Sequence, residues 1–505
     1  MCAITGIVHF DRRPVAESEL VTMRDVMVNR GPEHGGQWLG GHAALGHRRL
    51  RIIDLSPLGN QPMTNEDSTV WVTFNGEIYN FHALRKELEA KGHQFRSHSD
   101  TEVIVHGFEE WGEGVVARMD GMFAIGIWDT RKETLLLAVD RFGKKPLYYA
   151  QHGATVRFAS DSKSFWSLPG ASLTVNPAAI DCYFHHLAVT TEHTIWNEVS
   201  KLPPAHYLVC ERDANGGVRS RAVRYWKPNF RDKIQVSEAG ALERIDAALR
   251  EAVRKRMIAD VPLGAFLSGG VDSSLVVAMM SQLSSKPVKT FSIGFAEQDF
   301  SELEYSDAVA KRYGTEHQQI RLQPDVLEIL PSLVWEYGEP FADSSAIPTY
   351  YVSKAAKEFV TVALTGDGGD EQFGGYDIAR ASFHALRYDA LLPGFVRGPV
   401  GRLALRRRTH RLRAEPKNPR HARQPRPSAP PRLLNGLQPT PTRRALHRQL
   451  PRHSRRTPAV AHLRTPRRRH GRPEPARPKS LPRPHGAAAQ RLPRESGRGL
   501  HEGRA

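Results

Sequence analysis

Ser268-Gly-Gly-Val-Asp-Ser-Ser274 follows the apolar run LGAFL and opens the helical pattern DSSLVVAMMSQL. In that setting a glycine-rich turn lets backbone N–H groups converge on an anion at the positive end of a helix. Glycine also allows the close approach that a phosphate needs. A bare Gly-Gly reads as a simple turn, but the serine flanks and the strand-to-helix context favour phosphate. The spacing is not G-x-x-x-x-G-K-[ST], and no lysine follows the glycines. A second loop, Thr365-Gly-Asp-Gly-Gly-Asp-Glu371, gathers three carboxylates within five residues. Such crowding is unfavourable unless a cation or a cationic substrate resolves it; a solvated acidic turn is the plainer alternative.

A third candidate lies at the start of the chain. In Met-Cys-Ala the initiator methionine precedes a small residue, a context in which it is normally removed, leaving Cys2 with a free α-amine. That amine has an ordinary pKa of about 8, close enough to neutrality to accept the thiol proton. Nucleophile and base then sit on one residue. Cys182 and Cys210 stand in apolar surroundings and read as buried small hydrophobes. Three cysteines, an odd number in a long chain, argue for reduced thiols over a disulfide framework.

The elements that must position these groups fall into two grammars. The first two hundred residues are strand-rich with inserted helices, a mixed α+β unit: TVWVTFNGEIYN reads as a strand, and NFHALRKELEAKG as a helix capped by Asn80, with Leu84 and Leu88 on one face and Gly92 at its end. LLLAVDRFGKKPLYYA and TVRFAS read as further strands, and KLPPAHYLVCERDANGGVRSRAVRYWKP as a strand pair with a linker. From Ser237 the pattern changes. ALERIDAALREAVRKRM sets Leu242, Ile245, Leu249, Val253 and Met257 at helical spacing. Strand, loop, helix, strand then repeats as in a parallel α/β sheet, whose ligands sit at the carboxyl ends of the strands, where both glycine-rich loops fall.

Length alone predicts two folded domains, with any tails, in 505 residues. No apolar run reaches the roughly 18 residues of a membrane span, and the N-terminus does not read as a secretory signal, so no membrane partner and a cytoplasmic location are expected. The net charge of +17 is confined to one region. Residues 401–505 hold 27 Arg and 2 Lys against 4 Glu, a net of +25 that leaves −8 for the rest. They include 17 Pro and no Phe, Tyr, Trp, Ile, Met, Cys or Asp, which cannot build a core. Nucleic-acid arms usually mix Lys with Arg and carry aromatics; this vocabulary instead fits a GC-rich gene read out of frame from near residues 400–410, and a nucleic-acid partner is not expected.

MCAITGI, NRGPEHGG, GHRRLRIID, FNGEIYN, SDTEVIVHGFEEWG and FAIGIWD, in this order, resemble the glutaminase domain of class II amidotransferases. SGGVDSS, EPFADSSAIPTYY and LTGDGGDEQFGGY resemble the synthetase domain of glutamine-hydrolysing asparagine synthetases. The likeness spans about residues 1–400 and stops past Arg402, where the family's later helical segment and basic stretch are not found. It implies an Ntn-hydrolase-like αββα glutaminase domain (1–205), a linker (206–235) and a Rossmann-like parallel-sheet ATP-pyrophosphatase domain, incomplete at its end (236–400), followed by the basic tail (401–505). It implies that Cys2 attacks the glutamine side-chain amide, with the Asn75 side chain and Gly76 N–H as oxyanion hole. Arg49 would bind the glutamine α-carboxylate, and Asp100 with Glu77 its α-ammonium. ATP would rest on Leu267, Ile293, Thr365 and Gly366, with phosphates over Ser268, Gly269, Gly270, Asp272 and Ser273, and Asp272 on Mg²⁺. Aspartate would be adenylylated near Asp367 and Asp370 and receive ammonia through an internal passage. The resemblance leaves room for a homodimer. Three alternatives stay open: another carboxylate acceptor, a glutaminase alone, and a polyanion binder acting through the tail.

Overall fold

The computed structural model describes residues 1–190, 193–295, 303–322 and 326–391, all within one compact unit, Met1–Val400. The basic tail and the proposed change of frame lie outside the described residues.

Twelve strands make two antiparallel six-stranded sheets. They are β1 (Ala3–His9), β2 (His34–Leu39), β3 (Ala43–Arg49), β4 (Met63–Thr64), β5 (Val70–Ile78), β6 (Gly121–Asp129), β7 (Thr134–Val139), β8 (Tyr148–His152), β9 (Thr155–Ala159), β10 (Ser200–Lys201), β11 (His206–Arg212) and β12 (Val218–Arg224). The first sheet runs β10-β8-β9-β1-β3-β2 and the second β12-β11-β7-β6-β5-β4. Strands alternate their side chains between two buried faces, so they read as near-continuous apolar runs. In β7, Leu135, Leu137 and Val139 join Ile4, Val8 and Trp128 between the sheets, while Leu136 and Ala138 face the helices Phe81–Ala90 and Glu102–Trp111. Helix Glu17–Asp25 covers the other sheet through Leu20 and Met23. The result is the αββα layering.

Several local expectations change. The run LLLAVDRFGKKPLYYA is two strands in different sheets, β7 and β8. Asp140 breaks it: its carboxylate accepts N–H bonds from Phe142, Lys144 and Lys145 at 3.0–3.1 Å and from Phe123 at 3.0 Å, closing a turn. Asn80 precedes helix Phe81–Ala90 but does not cap it with its side chain, which binds Asp120 N and Arg118 O instead. Gly92, at φ +100, does follow its end. Residues 206–224 form the expected strand pair, β11–β12, but it belongs to the edge of the second sheet and not to the 206–235 linker. Cys210 is buried, its thiol pushed up to about 12, whereas Cys182 is only half-buried on helix Pro177–His186.

The later part carries β13 (Leu263–Phe266), β14 (Lys289–Phe295), β15 (Glu316–Leu322) and β16 (Val362–Leu364), all parallel, in the order β15-β14-β13-β16. Helix Glu238–Arg256, capped by the Ser237 hydroxyl on Gly240 N, packs Val253 beside Leu267 and Val277. Its N-terminal stripe is uncovered: Leu242 is 61% exposed. A buried polar seam joins this part to the sandwich. Lys163 Nζ donates to Trp335 O (2.7 Å) and pairs with Asp161 (2.9 Å), and Lys201 pairs with Glu339 at 2.6 Å. Among the described residues no helix is long and apolar enough to cross a membrane.

Candidate active sites

One cavity at the first end of the sandwich is lined by Cys2, Arg49, Asn75, Gly76, Glu77 and Asp100, all six residues singled out from the motifs. Cys2 sits just ahead of β1 and exchanges weak bonds with Leu50, whose N–H lies 3.4 Å from Sγ. Burial pushes the thiol up, partly offset by that backbone bond. Asn75 and Gly76 lie side by side on β5. A Cβ on Gly76 would lie 2.0 Å from Met122 O on the adjoining β6, so only glycine fits there. The Asn75 Nδ2 group is buried and has no hydrogen-bond partner, which is unusual for a buried amide.

Arg49 ends β3, and its guanidinium is fixed by the turn beyond. Nη1 donates to Ser56 O (2.9 Å) and Asn60 Oδ1 (2.7 Å), and Nη2 donates to Asp54 O and to Ile53 O (3.4 Å). Gly59 makes room, since a Cβ would stand 2.1 Å from Nη2. Asp100 precedes helix Glu102–Trp111 and accepts from Ile78 N at 2.9 Å. Burial raises its carboxyl to about 6, and burial together with Asp100 raises Glu77 to about 7. Two reluctant carboxylates therefore face the cavity where a cationic group would relieve both.

Lys145 also lines the cavity and was missed from sequence; it follows the Asp140 turn that a continuous strand reading erased. Burial lowers its ammonium, and Nζ lies 3.1 Å from Met1 Sδ. Met1 shares the cavity, and burial lowers its α-amine to about 6.

The second candidate site stands at the carboxyl ends of β13 and β16. Leu267 N–H donates to Phe291 O, tying the end of β13 to β14, the strand of Ile293. Gly269 takes φ +83, and a Cβ there would lie 2.6 Å from Ser306 N. Helix Val271–Leu283 starts at Gly270 with no side-chain cap, so its first N–H groups point into the loop, where Ser268 Oγ and Ser273 Oγ lie 3.0 Å apart. The two glycine-rich loops touch: a Cβ on Gly366 would lie 2.7 Å from Ser273 N, and one on Gly369 2.5 Å from Asp272 Cγ. Thr365 Oγ1 holds Asp367 at 2.9 Å, and Gly375 N binds Asp370 O. These features fit a nucleotide: uncapped helix N–H groups for phosphate, and a carboxylate at the joint of the loops for a hard cation.

The geometry thus pairs a buried-thiol cavity with a parallel sheet whose two glycine-rich loops meet at the carboxyl ends of its strands. Comparison agrees, with residues 1–226 matching the family model described as glutamine amidotransferase domain and residues 244–471 that described as asparagine synthase. The second match runs beyond Arg402, where the motif resemblance ends. The chain is 38% identical over 400 residues to asparagine synthetase [glutamine-hydrolyzing] 1 of Bacillus subtilis, covering 78% of this chain and 62% of that protein. It is 34% identical over 423 residues to a Methanocaldococcus jannaschii protein whose name belongs to the same family, covering 79% of each. Against asparagine synthetase [glutamine-hydrolyzing] 3 of Bacillus subtilis it is 33% identical, with 74% of this chain and 63% of that protein covered. The chain belongs to the family of glutamine-hydrolysing asparagine synthetases. It spans about three fifths of the length of the two Bacillus relatives.

Proposed function

We propose that the protein makes asparagine from aspartate and ATP, with ammonia taken from glutamine, in the cytoplasm. The observation that carries this reading is the buried, partnerless Asn75 amide in the same cavity as the Cys2 thiol.

Removal of Met1 would do two things there. It would clear a side chain from the cavity and transfer the α-amine to Cys2. The surroundings already lower an amine at the preceding position to about 6 by burial. The same burial would favour the neutral form of the transferred amine, which can take the Cys2 proton. The thiolate then attacks the glutamine amide carbon, and the carbonyl oxygen turns its developing charge to Asn75 Nδ2 and Gly76 N–H. The cysteine ammonium returns its proton to the departing nitrogen, ammonia leaves, and water hydrolyses the glutamyl thioester to glutamate. Arg49, through its fixed guanidinium, would hold the substrate α-carboxylate. Asp100 and Glu77 would hold its α-ammonium.

In the second site Ser268, Gly269, Gly270 and Ser273 would seat the ATP phosphates, with Leu267, Ile293, Thr365 and Gly366 around the nucleoside. Asp272 would hold Mg²⁺, which when bound neutralises charge on the leaving pyrophosphate. The aspartate β-carboxylate attacks the α-phosphorus, pyrophosphate departs, and ammonia displaces AMP from the β-aspartyl-adenylate held near Asp367 and Asp370.

The test is to supply amide-¹⁵N glutamine, aspartate, ATP and Mg²⁺ to protein whose Met1 is shown by mass to be gone. Expected products are ¹⁵N-asparagine, AMP and pyrophosphate in equal amounts. Glutamate without AMP would confine the activity to the first site. No glutamate at all would refute the whole reading.

A further inference from the structure

Away from both sites, at the open end of the helix pair beside β5, four side chains converge: Glu66, His93, His106 and Glu109. One ligand atom from each lies within 4.8 Å of all the others, the one such grouping among the described residues. Each arrives by a separate local cause. Glu66 stands in the turn between β4 and β5. His93 follows Gly92, whose positive φ ends helix Phe81–Ala90. His106 and Glu109 share one face of helix Glu102–Trp111, three residues apart.

Three of the six spacings approach those of a coordination shell, and all fall within 4.8 Å. His106 Nδ1 lies 3.3 Å from Glu109 Oε2 and 3.4 Å from Glu66 Oε2, and His93 Nδ1 lies 3.8 Å from Glu109 Oε2. Four ligands at about 2.0–2.1 Å around a tetrahedral ion stand roughly 3.3–3.4 Å from one another. Two imidazoles and two carboxylates suit a divalent ion of the zinc class.

An outer layer stands behind every member, hydrogen-bonded to the two glutamates and facing the two histidines. Glu102 Oε1 faces the far nitrogen of His106 at 3.7 Å, and Glu102 is itself held by the N–H groups of Arg96 and Ser97 at 2.8 Å. That Nε2 atom is buried and makes no hydrogen bond. Asn65 Nδ2 donates to Glu109 Oε1 (2.7 Å) and Gln94 N to Glu66 Oε1 (2.9 Å), while Glu110 faces the second nitrogen of His93 at 3.7 Å. A carboxylate behind a ligating histidine is the usual arrangement at zinc. We propose that Glu66, His93, His106 and Glu109 bind one Zn²⁺ that pins the turn before β5 and the end of helix Phe81–Ala90 to helix Glu102–Trp111. Entry is from the Glu66 side, the most exposed of the four at 37%. The tie matters to the first site because the same helix begins at the Asp100–Thr101 wall of the cavity.

The test uses the full chain stripped with a chelator and titrated with Zn²⁺ alone, following bound metal by elemental analysis and melting temperature. One tightly held equivalent that raises the melting temperature is expected. Glu66→Gln, at the exposed rim, should keep the fold and lose at least tenfold in affinity, and Glu102→Gln about 10- to 100-fold. Co²⁺ should give the intense visible band of a four-coordinate ion in wild type and lose it in His93→Gln. A wild-type chain holding no more zinc than Glu66→Gln and His93→Gln would overturn the proposal, as would a weak six-coordinate Co²⁺ spectrum.

Discussion

Replacing Asn75 by Ala should lower activity without lowering stability. In the free protein Asn75 Nδ2 is buried with no partner, so the fold carries an unsatisfied donor whose desolvation typically costs about 1–3 kcal/mol. Truncation removes that donor and leaves a small gap; the two effects are of similar size, so the melting temperature should hold or rise. The same donor meets a charged oxygen only while the tetrahedral intermediate forms. Losing one such donor typically lowers kcat by about 10²–10³, or roughly 2.7–4 kcal/mol. KM for glutamine should change little, because the contact belongs to the transition state. Steady-state glutamate release and thermal unfolding on the same preparation measure both. A kcat within threefold of wild type, or a fall in stability as large as the fall in activity, would refute the oxyanion role and make Asn75 a structural residue of β5.

The other tests bear on separate links. Glu77 at about 7 and Asp100 at about 6 keep protons that their unfolded counterparts, with ordinary values of 4.5 and 3.8, have already released. Stability should therefore fall as pH rises from about 4 through 7; glutamine, whose ammonium relieves the ionised pair, should raise the melting temperature of Cys2→Ala more at pH 8 than at pH 5, and an equal rise would contradict the assignment of Asp100. Gly366→Ala would push a Cβ to within 2.7 Å of Ser273 N, so AMP release should fall by more than tenfold while glutamate release persists; joint loss would point to misfolding. Asp260→Ala removes the carboxylate that accepts from Asp54 N at 2.8 Å. A hydrogen bond to a charged group contributes about 1.5–3 kcal/mol, and part of that should reach Arg49 as a KM for glutamine raised about tenfold, whereas an unchanged KM would break the link.

The six cavity residues were legible through the motif resemblance; only Cys2, behind the first methionine, was singled out by its own chemistry as well. The first glycine-rich loop was legible from its strand-to-helix setting, whereas the second, taken alone, could equally have been a solvated acidic turn. What could not be read depends on distant partners. Asp140 gathers amides from a neighbouring strand as well as its own turn, which no local apolar pattern reveals, and Lys145 went unnoticed with it. Asn80 has the chemistry of a cap but spends its amide on Asp120 and Arg118, some forty residues on. The metal-type cluster drew no attention either, since Glu66, His93 and the His106–Glu109 pair lie on three different segments. Helical spacing predicted the stripe from Leu242 to Met257; periodicity says which face is apolar, not how far along it a neighbour extends.

A polar path runs from Arg49 to the parallel-sheet part. The Arg49 guanidinium is held by the carbonyls of Ile53, Asp54 and Ser56. The same turn is gripped from the other part by residue 260, whose carboxylate takes the N–H of Asp54 and whose own N–H donates to Ile52 O at 2.9 Å. Asp260 lies three residues before β13, the strand that runs directly into the Ser268–Ser274 loop. Arg49 and the Ser268–Ser274 loop are thus linked by one short run of hydrogen bonds and chain, and the Asp260→Ala variant tests whether that link bears on glutamine binding.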